Sequence, residues 1–232
     1  MTALELQARR RQVTEFMQLT GLVSDLLEFS TFELGRVQLH PNDFALQDLI
    51  CEQCQNLLPL AQAKTILLIA EPMSESVQLF TDQVKLGRVL TNLITNAIKY
   101  TATGSVRVEA GRNGAGSVWI RVQDTGIGIR LEDREMIFDE FAQVRGPRGE
   151  YGKGYGLGLS IVRRLVVLMG GTVSIENSST NGSAFIVHLP STCLAAVAQP
   201  QLECNTASTS GSAQSGSAAW HSHCNGGADA SV

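Results

Sequence analysis

The sequence predicts an α/β fold in which helices cover one face of a mixed sheet, and three observations lead to this prediction. Segments with strand character come in neighbouring pairs, such as SVRVEAG (105–111) and SVWIRVQD (117–124). Amphipathic helical segments lie between these pairs rather than after every strand. The chain has no run of about 18 uncharged apolar residues, so we expect no membrane segment in it. Grouped strands separated by helices favour a two-layer sandwich of helices on a mixed sheet.

The first predicted element is one long helix over residues 4–34, which lack proline. Its apolar stripe follows a three- and four-residue spacing. The stripe consists of Val13, Phe16, Thr20, Val23, Leu27, Ser30 and Leu34, widened by Leu19 and Leu26. Because the chain offers no second helix of this kind, we expect a partner chain or a segment outside this sequence to cover the stripe. Packing against the chain's own globular domain is the alternative.

A mixed α/β region is predicted from about residue 40 to residue 190. Periodicity and turn signals give its elements in order. They are a helix over 44–63, strands over 65–70 and 77–80, a helix from the N-cap Asp82 through Tyr100, a hairpin that turns at Asn113-Gly114, a helix ending at Leu168, and the strand pair GGTVSIEN and SAFIVHLP. The predicted domains are therefore 1–36, 37–190 and a Ser/Ala/Gly-rich tail over 191–232, for which no packed structure is expected.

Charge and cysteine content exclude several functional classes. A net charge of −4 does not suggest a nucleic-acid-binding surface. The N-terminal MTALELQARRR has no apolar core of a secretory signal. Five irregularly spaced cysteines fit a reducing compartment better than a disulfide framework. We therefore predict a cytoplasmic location for these residues, which is compatible with a membrane-tethered full-length protein.

The segment NLITNAIKYT (92–101) places polar side chains in one row of its helix. Asn92, Asn96 and Tyr100 fall at i, i+4 and i+8 with Lys99 beside them, while the opposite face is apolar. Amide oxygens suit Mg²⁺, which takes phosphates as its other ligands, and a lysine can serve as a point charge for phosphate. The alternative is a pair of solvated amides on an exposed face.

The segment VQDTGIGI (122–129) ends a predicted strand in Asp124, and Gly126 and Gly128 follow. A carboxylate there can accept a hydrogen bond from an exocyclic amine, and the glycines let a flat ring approach the backbone. A strand-terminating Asx turn is the alternative.

Two further segments point to an anionic ligand. IFDEFAQV carries Phe138 and Phe141 at i, i+3, which we interpret as a small apolar anchor. RGPRGEYGKGYG contains Arg145, Arg148 and Lys153 among glycines, which is typical of a mobile lid, with an ordinary solvated loop as the alternative. Glycines then alternate from 152 to 158 just ahead of a helix, where backbone N–H groups can close on phosphate.

Taken in order, these four segments resemble the N, G1, F and G2 boxes of the sensor histidine kinase ATP-binding domain. This domain belongs to the superfamily that includes gyrase-type ATPases and heat-shock-ninety chaperones, and the resemblance covers roughly residues 10–190. It implies the Bergerat ATP-binding fold, with ATP and Mg²⁺ as cofactors. SDLLEFSTFELGRVQL (24–39) resembles the end of the family's dimerisation hairpin, so residues 1–36 are interpreted as a partial dimerisation and phosphotransfer helix.

The resemblance implies a role for each matching residue. Asn96 would be the main Mg²⁺ ligand with Asn92 assisting, and Asp124 would accept a hydrogen bond from the adenine amino group. Lys99 would contact phosphate and Tyr100 would lie against the nucleotide. The adenine pocket would be shaped by Gly126, Gly128 and Ile129, and the phosphates would be enclosed by Gly154, Gly156, Leu157 and Gly158. The predicted ATP-binding set also includes Phe138, Phe141, Lys153, Leu159 and Tyr155, the last at a position where the family more often has Thr.

The resemblance leaves three functions to compare. Gyrase-like relatives have a Glu general base where this chain has Asn92, and an amide cannot accept the proton of water, so a kinase is favoured over an ATPase. None of the histidines (40, 188, 221 and 223) lies in the His-Glu/Asp-x-x-x-Pro context of the phosphorylated helix. The acceptor would therefore come from a missing N-terminal helix or a partner chain. A non-catalytic nucleotide-binding or dimerisation module is the third function. The implied partners are a second copy of the chain and a response-regulator receiver domain.

Two cysteine and histidine groups could suggest a metal. Cys51 and Cys54 share a helix face with Leu58 and are interpreted as small core residues, with a metal or redox role as the alternative. His221, His223 and Cys224 could bind metal with Cys204, but tails of this composition often collect such residues.

Overall fold

The structure is a computed structural model that describes residues 21–114, 116–143, 155–179 and 182–192. Its larger sheet has five strands in the order β2-β4-β5-β7-β6, and its smaller sheet pairs β1 with β3. The strands are β1 (Asn42–Ala45), β2 (Ile66–Ala70), β3 (Gln78–Thr81), β4 (Gly104–Asn113), β5 (Ser117–Asp124), β6 (Thr172–Ser179) and β7 (Gly182–Pro190). Only the β2–β4 pair of the larger sheet is parallel. The predicted α/β sandwich on a mixed sheet is therefore confirmed.

Four helical segments accompany the sheets: α1 over 21–33, α2 (Leu46–Ala63), α3 (Gln83–Tyr100) and α4 (Gly158–Leu168). Short 3₁₀ turns lie at Leu131–Asp133 and Met136–Phe138. Alternate residues of β5 are buried because one face of that strand is covered and the other is not. The shared core joins Ile120 of β5 to Leu90 and Ile94 of α3 and to Ile161 of α4, all of which have no exposed surface. Helices α2, α3 and α4 thus form the second layer.

Helix α3 follows its sequence signals closely. The side chain of Asp82 accepts a hydrogen bond from the backbone N–H of Lys85 at 2.9 Å, so the predicted N-cap is confirmed. Its apolar face is fully buried, and the helix ends at Tyr100 as predicted. This rigid element carries the polar row of the candidate site.

Two differences from the sequence prediction concern the beginning of the α/β region. The sequence predicts Phe44 in the first helix of that region, but Phe44 lies in β1 and pairs with Leu79 of β3. Helix α2 begins only at Leu46. Phe44 is buried, and its place in a strand depends on a partner more than thirty residues away, which a local pattern cannot reveal.

Helix α1 packs against the chain's own domain through a face that the predicted stripe did not include. Leu22, Phe29 and Phe32 are partly buried against the core. Val23, Leu27 and Leu34 of the predicted stripe are 55–63% exposed. The helix therefore has two apolar faces, and the alternative interpretation holds for one of them. Stripe members before residue 21 lie outside the described residues.

Ion pairs fix α1 at two places. Arg88 of α3 pairs with Asp25 and with Glu28, its Nε lying 3.2 Å from Glu28 Oε2. Arg164 of α4 lies 2.8 Å from Glu33 and also pairs with Glu140. Its guanidinium stacks 4.8 Å from the centre of the Phe29 ring.

Candidate functional site

The polar row of α3 faces away from the core. Asn92, Asn96 and Lys99 are half-buried and Tyr100 is exposed, whereas the apolar residues between them are buried. The ammonium of Lys99 lies 4.6 Å from the centre of the Tyr100 ring, a cation–π distance. The sequence-predicted row is therefore a real, continuous surface at the C-terminal half of α3.

The first residue of α4 meets this row. The amide of Asn92 donates to the carbonyl of Gly158 at 3.4 Å. A Cβ on Gly158 would lie 3.8 Å from Asn92 Oδ1 and 4.0 Å from Asn96 Nδ2. Leu157, at the N-cap position of α4, makes no side-chain capping hydrogen bond, and the first backbone N–H groups of a helix have no partner within the helix. An uncapped helix N-terminus beside amide side chains is a suitable environment for phosphate.

Asp124 closes β5 with a buried carboxylate, only 5% of its surface being exposed. Its Oδ1 accepts the backbone N–H of Gly126 at 2.7 Å, and the carboxylate also accepts the N–H of Ser183. Burial raises the pKa of Asp124, and these two hydrogen bonds offset that rise only in part. The Asx turn that the sequence offered as an alternative is thus present, and it holds the carboxylate beside the glycine segment.

The glycine segment after Asp124 lies directly against the end of α3. The N–H of Ile127 donates to the carbonyl of Tyr100 at 3.4 Å. A Cβ on Gly126 would lie 2.4 Å from the same oxygen, so this position has no room for a side chain. Gly128 has φ +73°, the left-handed region that favours glycine, and Ile129 packs partly buried against the core. Asp124 and the polar row of α3 are therefore brought together through Tyr100.

The two phenylalanines of the predicted anchor separate in the structure. Phe138 is buried in edge contact with Phe185, with ring centres 6.1 Å apart. Phe141 is 58% exposed, has φ +59°, and meets Phe29 of α1 with ring centres 6.1 Å apart. Residues at i and i+3 share one face only when both lie in the same helix. The 3₁₀ turn ends at Phe138, so Phe141 lies beyond it and the two side chains do not share a face.

Gly156 joins Phe141 to the start of α4. The N–H of Phe141 donates to the carbonyl of Gly156 at 3.1 Å, and Gly156 has φ +75°. A Cβ there would lie 2.6 Å from the carbonyl carbon of Phe141. Next to it, Tyr155 is exposed, Leu157 is buried and Leu159 is partly buried. Lys153, Gly154 and the rest of 144–154 lie outside the described residues.

Some residues around the site had no signal in the sequence. Ser183 supplies an N–H to Asp124, and a Cβ on the neighbouring Gly182 would lie 2.0 Å from the Asp124 carbonyl oxygen. Lys64, at the end of α2, contacts the end of α3. Each of these contacts joins elements distant in the chain, so no local spacing could have indicated them.

The other groups considered for metal chemistry do not form a site within the described ranges. Cys54 is buried. Its burial, and to a smaller extent the nearby Cys51, raises the pKa of its thiol to about 11, as expected for an unreactive core residue. In the parts of the chain that the structure covers, no three His, Cys, Asp or Glu residues are grouped to hold a metal ion. The histidines at 221 and 223 lie outside those parts. No described helix is long and apolar enough to cross a membrane.

The arrangement as a whole is that of a nucleotide-binding domain. A buried carboxylate and two amides beside the start of α4 supply an acceptor for an amine, oxygen ligands for Mg²⁺ and donors for phosphate, and the glycine turn holds the carboxylate in place. The residues present therefore fit a nucleotide with its magnesium.

Comparison with known proteins identifies the class more closely. Residues 81–192 match the family described as histidine kinase-, DNA gyrase B-, and HSP90-like ATPase, and they form a domain of that family. The autoinducer 2 sensor kinase/phosphatase LuxQ of Vibrio cholerae is 35% identical over 177 residues, covering 74% of this chain and 20% of LuxQ. The sensor histidine kinase RcsC of Escherichia coli is 34% identical over 174 residues, covering 74% of this chain and 18% of RcsC. The chain thus spans about a fifth of the length of these curated relatives.

Solved structures agree with this assignment. Full-length ShkA in complex with AMPPNP has a TM-score of 0.70 and 28% identity, covering 82% of this chain and 39% of ShkA. The nucleotide-free catalytic domain of histidine kinase ThkA has a TM-score of 0.57 and 27% identity, covering 66% of this chain and 99% of that domain. The five-stranded sheet with its helix layer is therefore the fold of histidine kinase catalytic domains.

Proposed function

We propose that this chain binds ATP with Mg²⁺ and is the catalytic part of a two-component sensor histidine kinase. The observation that carries the proposal is the junction at Tyr100, which joins the turn after the buried Asp124 to the end of the helix that carries the amide row. Family membership supports the same reading.

Each residue would act through its position. Asp124 would accept a hydrogen bond from the exocyclic amine of adenine, and the N–H of Gly126 would hold that carboxylate in position. Asn96, assisted by Asn92, would hold Mg²⁺ through amide oxygens, and Lys99 would contact phosphate. Bound Mg²⁺ would neutralise charge on the phosphate oxygens.

The transfer itself needs a histidine from another segment or chain. A ring nitrogen of that histidine would form a bond to the γ-phosphorus while the bond from phosphorus to the bridging oxygen breaks. ADP would leave with the electron pair, and the imidazole proton would pass to an acidic neighbour of the histidine or to water. Asn92 cannot take a proton from water, so we expect little ATP hydrolysis. A histidine-containing hairpin and a response-regulator receiver domain are the proposed partners, and a solved structure of ThkA with the response regulator protein TrrA supports the second.

Titration calorimetry of the chain with ATP and MgCl₂ tests the binding proposal. D124N and N96A should each weaken ATP binding by about ten- to a hundredfold, because each removes a hydrogen bond or ligand to a charged or polar group. The exposed Asp43 and Asn56 provide matched controls, D43N and N56A, which should bind as wild type does. Unchanged affinity in both site variants would refute the site.

Incubation with γ-labelled ATP and a dimerisation hairpin that carries a phosphoacceptor histidine tests the kinase proposal. Label on the hairpin that D124N fails to deposit supports the kinase. Nucleotide binding without any label would instead indicate the non-catalytic module.

A further inference from the structure

The side chain of Lys64 closes the C-terminal end of α3. Its ammonium donates to the carbonyl oxygens of Ile98 at 2.6 Å, Lys99 at 2.9 Å and Thr101 at 2.9 Å. The last carbonyls of a helix have no partner within the helix, and a positive charge there also complements the helix dipole. Lys64 satisfies three of these groups at once, although it lies more than thirty residues away in sequence.

The turn that carries Lys64 is strained. The backbone N–H of Lys64 donates to Ala61 and that of Thr65 to Gln62, which ends α2 tightly. Thr65 then has φ +57°, a conformation that a β-branched residue rarely adopts. This backbone conformation directs the chain from α2 into β2 with Lys64 at the end of α3, and the rest of the fold maintains it.

The end of α3 that Lys64 holds is also the junction of the candidate site. Tyr100 lies between the Lys99 and Thr101 carbonyls that Lys64 binds. The carbonyl of Tyr100 accepts the N–H of Ile127, and Gly126 packs against it with no room to spare. Gly126 in turn donates to Asp124. A shift in the last turn of α3 would therefore move both the Lys99–Tyr100 pair and the turn that orients Asp124.

We propose that Lys64 is a positioning residue for the nucleotide site, acting through the carbonyls of α3 rather than by touching the nucleotide. This inference rests on the proposed function, since it concerns the site assigned there to ATP. It assigns a positioning role to a residue of the α2–β2 turn, outside all four segments that define the site.

A lysine at the opposite end of the same helix provides a matched control. Lys85 lies in the first turn of α3, and its ammonium pairs with Asp82 at 3.1 Å. K85M removes one charged contact from the beginning of α3, just as K64M removes the contacts from its end. Both replacements keep the aliphatic stem.

The experiment measures ATP affinity by calorimetry, thermal stability, and hydrogen exchange of the Ile127 amide by NMR in wild type, K64M, K64R and K85M. K64M should weaken ATP binding by at least about fivefold and speed exchange at Ile127, because small misplacements of binding groups are costly. K64R should recover most of the affinity, since a guanidinium can donate to the same carbonyls. K85M should lose stability while keeping its affinity within about twofold, and exchange at Ile127 should be unchanged.

Each other outcome overturns one specific statement. K64M with wild-type affinity, or K85M with an equal loss, would overturn the role of Lys64. If K64M does not fold, K64Q is measured in its place, because its shorter, neutral side chain has no charge and cannot hold all three carbonyls, so ATP binding should still weaken. Wild-type affinity in K64Q would overturn the role as well. Absence of ATP binding by the wild-type chain would overturn the proposed function itself, and the inference with it.

Discussion

The carboxylate of Asp124 accepts the backbone N–H of Gly126 at 2.7 Å, and the same glycine has no space for a Cβ beside the carbonyl of Tyr100. One short turn thus fixes the position of a buried acid and joins it to the end of α3. Burial is the larger influence on this acid and raises its pKa, while the N–H groups of Gly126 and Ser183 lower it. The ionised form of Asp124 is therefore held at a cost to the folded chain.

That cost predicts how D124N stability should vary with pH. Because the folded-state pKa of Asp124 is raised, the wild-type residue contributes stability below its unfolded pKa of about 3.8, and this contribution is lost as pH rises through the folded value. The unfolding free energy of D124N relative to wild type should therefore increase with rising pH over that window and then level off. Denaturant melts of both proteins from pH 3.5 to 7.5 check this, with D43N measured in parallel. A difference that stays flat, or that falls as pH rises, would contradict it.

Asp82 should show the opposite pH dependence. Burial raises its pKa, but N–H groups of His40 and Lys85 and the Lys85 ammonium outweigh burial and lower it overall. Its contribution to stability is therefore present above the unfolded pKa and lost as pH falls through the folded value. D82A removes the N-cap of α3 and should cost about 1–2 kcal/mol at pH 7. The same series of melts should show this deficit shrinking in acid, and an unchanging deficit would argue against the ionised cap.

Gly126 should not tolerate a side chain. In G126A the new methyl group would meet the carbonyl oxygen of Tyr100, a backbone atom that cannot move aside, so we expect a loss of about 1–3 kcal/mol and weaker ATP binding. Gly87 of α3 is the control, because a Cβ there lies 3.5 Å from Gln53, an ordinary contact. G87A should be neutral or stabilise the chain by up to about 1 kcal/mol. Thermal melts and calorimetry measure both variants, and a stable G126A with normal affinity would show that the turn can shift.

Arg164 should hold α1 on the domain. R164M removes the pairs with Glu33 and Glu140 and the stacking on Phe29, together worth about 1–2 kcal/mol at this half-exposed position. Hydrogen exchange over residues 21–33 should speed up, while β5 stays protected. The neighbouring exposed Arg163 supplies the control R163M, which should leave exchange in α1 unchanged. Equal protection of α1 in R164M and wild type would show that its apolar contacts alone are sufficient.

The sequence predicts best the elements that short-range interactions define. Helix α3 agrees from its cap at Asp82 to its end at Tyr100, because capping and a buried stripe act within a few residues. The β4–β5 hairpin agrees for the same reason, its turn signal lying between two alternating strands. The polar row and Asp124 also lie where the pattern placed them, although their roles stay predictions.

The sequence predictions that differ from the structure concern residues whose positions depend on contacts between distant segments. Phe44 joined a strand because Leu79 pairs with it, and Phe138 and Phe141 separated because no helix spans them. The second apolar face of α1 was missed because Phe29 and Phe32 pack against the core and lie near the guanidinium of Arg164, on an element well over a hundred residues later. Lys64 has no local signal at all, since its partners are the carbonyls of another helix.

The strand order of the larger sheet also bears on how the domain assembles. β4 and β5, and likewise β6 and β7, are neighbours both in sequence and in space, so each hairpin can close early at little entropic cost. The pairing between the two hairpins is not local in sequence, because Val122 of β5 pairs with Phe185 of β7 across a segment that contains α4. We expect closing that long loop to be the entropically more expensive step. It also brings Ser183 to Asp124, so the buried acid receives its second hydrogen bond only when the two halves of the sheet meet, and we expect the Asp124 end of the candidate site to be among the last parts of the domain to form.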